Sequence, residues 1–84
     1  MKHVTLFRSK LCSHCQALAR DFNQIAETHG AGAAFMEIDV TEDRQAAMDR
    51  AVVTLPTVLF IKDGKEVRRL TGAISKERLE QAVK

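Results

Sequence analysis

The stretch LFRSKLCSHCQALARDF, residues 6–22, decides the reading of this chain. It begins inside HVTLF, residues 3–7, an apolar run with the length and composition of a buried strand. It then holds the only two cysteines, Cys12 and Cys15, with Ser13 and His14 between them. Beyond them Leu18, Phe22, Ile25 and His29 recur at helical spacing, with Ala19 and Ala26 alongside, which predicts an amphipathic helix over 13–29. The two thiols therefore stand where a strand gives way to a helix.

The pattern continues outward from this unit. Gly30 and Gly32 close the helix. AFMEIDV, residues 34–40, reads as a second strand. Thr41 is expected to cap a second helix, with Glu42 and Asp43 in its first turn and Ala46, Ala47, Arg50 and Ala51 continuing it. The runs TVLFI and EVRRL flank a Lys-Asp-Gly-Lys turn and predict a hairpin. Ser75 caps a last helix, with Glu77 in its first turn and Leu79 and Val83 on one face. The order βαβαββα predicts an α/β fold. Its first two strands are parallel through a right-handed crossover and its last two are antiparallel. That gives a four-stranded mixed sheet with helices on both faces.

Composition bounds the function. Eighty-four residues suffice for one domain, expected over 1–84, and not for two. The net charge is +2, with 13 Lys and Arg against 11 Asp and Glu, interspersed and with few aromatics. This argues against a nucleic-acid surface. No apolar run approaches membrane-spanning length, and MKHVTLFRSK shows neither a long apolar core nor a small-residue cleavage site. A cytoplasmic address is the expectation, and nothing on this mixed surface calls for an oligomer.

In a reducing compartment a lone C-x-x-C reads as redox or metal chemistry. A bridge between cysteines three apart constrains little of the unfolded chain, so it stabilises little. Free cysteines are otherwise small buried hydrophobes. Zinc usually takes two separated ligand pairs, and no second pair accompanies Cys12 and Cys15. The haem-attachment pattern fails because Gln16 follows Cys15. A helix N-terminus supplies free N–H groups and positive partial charge, both of which lower a thiol pKa from about 8.5. Cys12 is therefore the expected nucleophile, and Cys15, one turn on and more buried, the resolving thiol. Arg8, Lys10 and His14 are expected to add positive charge beside Cys12. His14 reads either as a surface residue at the helix start without a role, or as a group whose imidazolium or donated hydrogen bond favours the Cys12 thiolate and makes the disulfide more oxidising. His3 and His29 read as structural or solvated.

The C-S-H-C at 12–15, Thr54-Leu55-Pro56, the TVLFIKDGKEV hairpin and the LTGAISKERLEQAV end together resemble the thioredoxin superfamily, and its small thioredoxin-like and glutaredoxin-like members in particular. The resemblance spans nearly the whole chain. It implies a thioredoxin-like fold, a cis Leu55–Pro56 bond and a substrate-binding segment at Thr54, Leu55 and Pro56. There the Leu55 N–H and C=O would meet an incoming peptide or glutathione, and Pro56 would shape the groove and keep metals off the thiols. It also implies a protein-disulfide oxidoreductase working on disulfide-containing proteins without cofactor or metal, and reduced by a flavoprotein of the thioredoxin-reductase kind. Two readings stand beside it: a glutaredoxin-like enzyme fed by glutathione, and a metal-binding or scaffolding module with idle cysteines.

The sequence departs from the family at several places. Leu11 stands where thioredoxins carry Trp, and Ser13-His14 where they carry Gly-Pro. Leu6 stands where they carry a buried acid that assists the second thiol. Water, or Glu37 or Asp39 on the neighbouring strand, is the candidate substitute. Thr71-Gly72-Ala73 offers one glycine and no acidic pair, where glutaredoxins carry a Gly-Gly and an acidic pair for glutathione.

Overall fold

A computed structural model of the protein describes residues 2–84. Its elements are β1 (Lys2–Arg8), α1 (Ser13–His29), a 3-10 turn (Gly30–Gly32), β2 (Ala34–Asp39), α2 (Arg44–Asp49), β3 (Thr57–Lys62), β4 (Lys65–Thr71) and α3 (Lys76–Val83). The strands form one sheet in the order β2-β1-β3-β4. β1 runs parallel to β2, with Leu6 opposite Glu37 and Arg8 opposite Asp39. β1 and β3 are antiparallel, as are β3 and β4.

Strand alternation divides the core into two layers. Val4, Leu6, Val58, Phe60 and Leu70 face one side, where Leu18, Phe22 and Ile25 of α1 and Leu79 of α3 cover them. Phe7, Leu59 and Ile61 face the other side, against Ala47 of α2. Helices thus lie on both faces, as the pattern requires. Phe22 anchors α1 to β2 through an edge-to-face contact with Phe35, ring centroids 5.5 Å apart.

Three local expectations are corrected. The cap of α2 is Asp43, whose side chain accepts the Ala46 N–H at 3.0 Å; Glu42 and Asp43 precede the helix rather than occupy its first turn. Thr41 turns back instead, donating both its N–H and its hydroxyl to Asp39 Oδ1. A strand-end carboxylate one residue pair away outcompetes helix capping, because it accepts two bonds at once. The second helix is also short: Arg50 and Ala51 lie beyond it, and Ala51 adopts φ 53°. Finally, Gly30 ends α1 in a right-handed conformation and leads into the 3-10 turn, so no left-handed glycine cap forms.

The hairpin turns through Asp63 and Gly64, both at positive φ (52° and 82°), as the Lys-Asp-Gly-Lys signal requires. Ser75 caps α3 by accepting the Arg78 N–H, with Glu77 in the first turn.

Candidate active site

β1 ends at Arg8, and the chain turns through Ser9, Lys10 and Leu11 into α1. Short-range bonds fix this turn: Ser9 Oγ accepts the Leu11 N–H at 3.2 Å and Ser9 O the Cys12 N–H at 3.1 Å. Gln16 Nε2 donates to Lys10 O at 3.3 Å from the helix side. Cys12 is the N-cap of α1. Its Sγ accepts the Cys15 N–H at 3.2 Å, so the sulfur occupies the place where a capping oxygen usually sits.

Cys12 and Cys15 are joined by a disulfide across this first turn, with Cα atoms 5.2 Å apart. Cys12 is partly exposed and Cys15 fully buried. A donor N–H on Cys12 Sγ and the positive end of a 17-residue helix both favour negative charge on that sulfur once the bond is reduced.

Ser13 and His14 are exposed on the first turn. His14 lines a cleft of about 360 Å³ with Leu18, Asp21 and the loop Gly72-Ala73-Ile74-Ser75. The two cations upstream are placed differently from the expectation. Lys10 Nζ pairs with Glu42 at 3.0 Å, a contact that raises the lysine pKa. The Arg8 guanidinium lies 3.1 Å from Glu37 and 3.6 Å from Asp39. Both face carboxylates, so neither brings uncompensated charge to Cys12.

Leu6 is fully buried in the layer under α1 and α3, so no carboxylate stands at that position. Glu37, its in-register neighbour, is held by Arg8 Nε. Asp39 Oδ1 is held by Thr41, whose hydroxyl and N–H keep the carboxyl below its ordinary range. The two candidate substitutes for the missing acid are thus engaged at the strand ends.

The Leu55–Pro56 bond is cis, as the resemblance implies. Pro56 is buried; Thr54 is exposed and Leu55 half-buried. Thr57 Oγ1 donates to Thr54 O, and Gly72, at φ 78°, donates its N–H to Pro56 O at 3.0 Å. The N–H and C=O of Leu55 take no hydrogen bond among the described residues. Beside this loop a groove of about 280 Å³ is lined by Val40, Ala47, Met48, Val52, Val53 and Leu55, with Arg44 at its rim. Val53 (94% exposed), Leu11 (92%) and Met48 (70%) are large apolar side chains left in solvent.

A disulfide across the first turn of a helix that follows a central strand, in a mixed sheet with helices on both faces, defines the class: an α/β protein carrying a C-x-x-C disulfide. The thioredoxin family model matches residues 1–84, and the chain belongs to the thioredoxin family. It is 35% identical over 65 residues to a thioredoxin of Acetoanaerobium sticklandii, covering 77% of this chain and 62% of that one. It is 33% identical over 81 residues to a thioredoxin of Gallus gallus, covering 96% and 75%. The crystal structure of Fasciola hepatica thioredoxin superimposes with a TM-score of 0.90 at 32% identity, over 98% of this chain and 77% of that one. The chain thus spans less than two thirds of the length of the bacterial relative.

Residues 54–56 and the cysteine pair were marked by the sequence. Arg69 and Glu66 of β4, which bond to each other, with Arg69 also donating to the carbonyls of Arg50 and Ala51 a few residues before Thr54, were not. A strand pattern places residues three apart on opposite faces, and the bulge that brings these two together leaves no mark in the sequence.

Proposed function

We propose that this chain is a protein thiol–disulfide oxidoreductase. The observation that carries the reading is the Cys12–Cys15 disulfide, whose partly exposed sulfur caps α1 while its partner is buried. In the reduced protein the Cys12 thiolate attacks a substrate disulfide and one substrate thiolate leaves. Cys15 loses its proton and attacks the Cys12 sulfur. The second substrate thiolate leaves, so the substrate takes up the two electrons lost by the dithiol, and the protein is left with the Cys12–Cys15 disulfide. With leucine at position 6, water takes the Cys15 proton.

Ser13, His14 and Lys10 tune the couple. His14 acts directly from the first turn, whereas Lys10 acts through its bond to Glu42, which holds the turn. Thr54, Leu55 and Pro56 bind the substrate main chain, a role that the free N–H and C=O of Leu55 support. The exposed Met48 and Val53, which line one groove with Leu55, favour a polypeptide over a small molecule, since contiguous exposed apolar side chains mark contact surfaces.

The electron donor is a flavoprotein reductase rather than glutathione. The relatives reported above are thioredoxins, and the loop at 71–73 lacks the glutathione-binding pattern. The protein works as a cytoplasmic monomer of one domain. Among the described residues no helix is long and apolar enough to cross a membrane, and the charge is nearly balanced, with 13 Lys and Arg against 11 Asp and Glu.

The test is reduction of a disulfide-bearing protein with NADPH and a thioredoxin reductase, against glutathione with glutathione reductase. Activity with the first system alone, lost in Cys12→Ser and converted to a trapped mixed disulfide in Cys15→Ser, is expected. Equal activity of Cys12→Ser overturns the reading in favour of a module with idle cysteines. Regeneration by glutathione alone replaces the donor.

A further inference from the structure

We propose that Arg69 is a positioning residue for substrate binding: held by Glu66, it clamps the carbonyls of Arg50 and Ala51 and thereby fixes the Thr54-Leu55-Pro56 loop. The inference rests on that loop being the substrate-binding segment.

The geometry is that of a fork closed at both ends. Arg69 Nη2 donates to Arg50 O at 2.7 Å and Nη1 to Ala51 O at 3.0 Å. Its Nε and Nη2 donate to the two oxygens of Glu66 at 2.9 and 2.8 Å. A bidentate carboxylate locks the guanidinium plane, and the remaining N–H groups reach the helix end without further ordering.

The sheet is built to allow this. Arg69 pairs with Leu59 and Arg68 with Phe60, but Ile61 pairs with Glu66, so Val67 is an extra residue on β4. Without this bulge Glu66 and Arg69 would point to opposite faces. With it both lie on the α2 side, opposite Ile61 and Leu59 of that layer.

The clamp acts where the backbone needs it. α2 ends at Asp49, and its last carbonyls lack helical partners. Ala51 follows at φ 53°, a left-handed conformation that alanine keeps only where its surroundings impose it. Its N–H bonds to Met48 O and the Val52 N–H to Ala47 O; Arg69 takes the carbonyls on either side of the strained residue. Only Val52 and Val53 separate Ala51 from Thr54. The far end of the loop is held by Gly72, whose N–H meets Pro56 O. β4 and its immediate extension thus grip the segment at entry and exit, which sets the direction in which Leu55 presents its N–H and C=O.

The experiment compares Arg69→Gln, Arg69→Lys and Arg68→Gln in the full chain, with steady-state reduction of a protein disulfide, reaction with a small aromatic disulfide, and the reduction potential. Arg68 lies on the opposite face, against Phe60, and makes none of these bonds. The expected result for Arg69→Gln is a KM for the protein disulfide raised about fivefold, equivalent to about 1 kcal/mol of lost binding. The small-disulfide rate and the potential are unchanged. Arg69→Lys does not rescue, because an ammonium cannot span two carbonyls and a carboxylate. Arg68→Gln leaves KM as it was.

Should Arg69→Gln not fold, Glu66→Gln keeps the guanidinium and loses its lock, and the same KM-selective change, smaller, is expected. A fall in all three readouts together with Tm marks a purely structural role and overturns the proposal. Val53→Glu, an exposed change beside the loop, separates the two layers of the argument. If it raises KM while the Arg69 and Glu66 variants do not, the clamp is wrong and the loop reading stands. If none of them changes KM, the loop reading falls and the clamp with it.

Discussion

At the scale of single residues the proposed chemistry turns on Cys12 Sγ, which replaces a capping oxygen at the head of α1 and accepts the Cys15 N–H. The thiolate of the reduced protein inherits that bond and the helix dipole. The alkylation rate of Cys12 against pH is expected to have its midpoint below the free-thiol value of about 8.5; a midpoint at or above it contradicts the assignment. His14, unlike Arg8 and Lys10, has no acidic partner among the described residues. Replacing it with Gly is expected to lower the reduction potential by removing a group that favours the thiolate, as titration in thiol–disulfide buffers would register. Asp39 gives a pH prediction. Thr41 donates twice to its carboxylate, so its folded pKa lies below the ordinary 3.8. A depressed acid contributes stability that is present above the unfolded value and lost as pH falls through the folded one. Thr41→Val removes one donor, so the acid-unfolding midpoint followed by circular dichroism is expected to move to higher pH. The cysteines and Pro56 were legible in the sequence because few residue types can do what they do. The engagement of Arg8 and Lys10 with acids was not, since ion-pair choice depends on which strand ends meet.

At the scale of elements, α1 and α3 follow the amphipathic pattern and α2 does not follow its expected start. Thr41 and Asp43 are both competent caps by residue type. Asp43 takes the role because Asp39, two residues before Thr41 and at the end of β2, captures the threonine first. The competition is local in space but spans a strand end, which spacing alone does not encode. Asp43→Ala is expected to cost about 1 kcal/mol, and Ser75→Ala at the head of α3 a similar amount, measured by denaturant unfolding. A null effect at Asp43 with a large one from Thr41→Ala would return the cap to Thr41. The bulge at Val67 is the other feature hidden from pattern reading. KEVRRLT carries no glycine or proline to mark it, and its effect is to re-aim Glu66 beside Arg69.

At the scale of the whole molecule, the order β2-β1-β3-β4 and the split of the core between two faces follow from the sequence of elements and the handedness of crossovers. The topology places the end of central β1, the start of α1 and the entry to β3 at one end of the sheet, since β3 runs antiparallel to β1 with Thr57 opposite Phe7. The cysteine turn and the Leu55–Pro56 loop are brought to the same end of the sheet by that register. Core burial in a chain this small leaves little margin. Phe22, fully buried and edge-to-face with Phe35, is expected to cost about 3–5 kcal/mol when replaced by Ala, enough to shift Tm sharply or abolish folding at 37 °C. A change below about 1 kcal/mol would mean that α1 is held by something other than this layer.

The measurement that bears most directly on the central claim is the redox equilibrium of Cys12 and Cys15, made by poising the protein in graded thiol–disulfide buffers and alkylating. One two-electron transition at a potential near or below about −270 mV is the expected result for a reductant fed by a flavoprotein. The absence of any two-electron transition would contradict the assignment of this pair as a working redox couple.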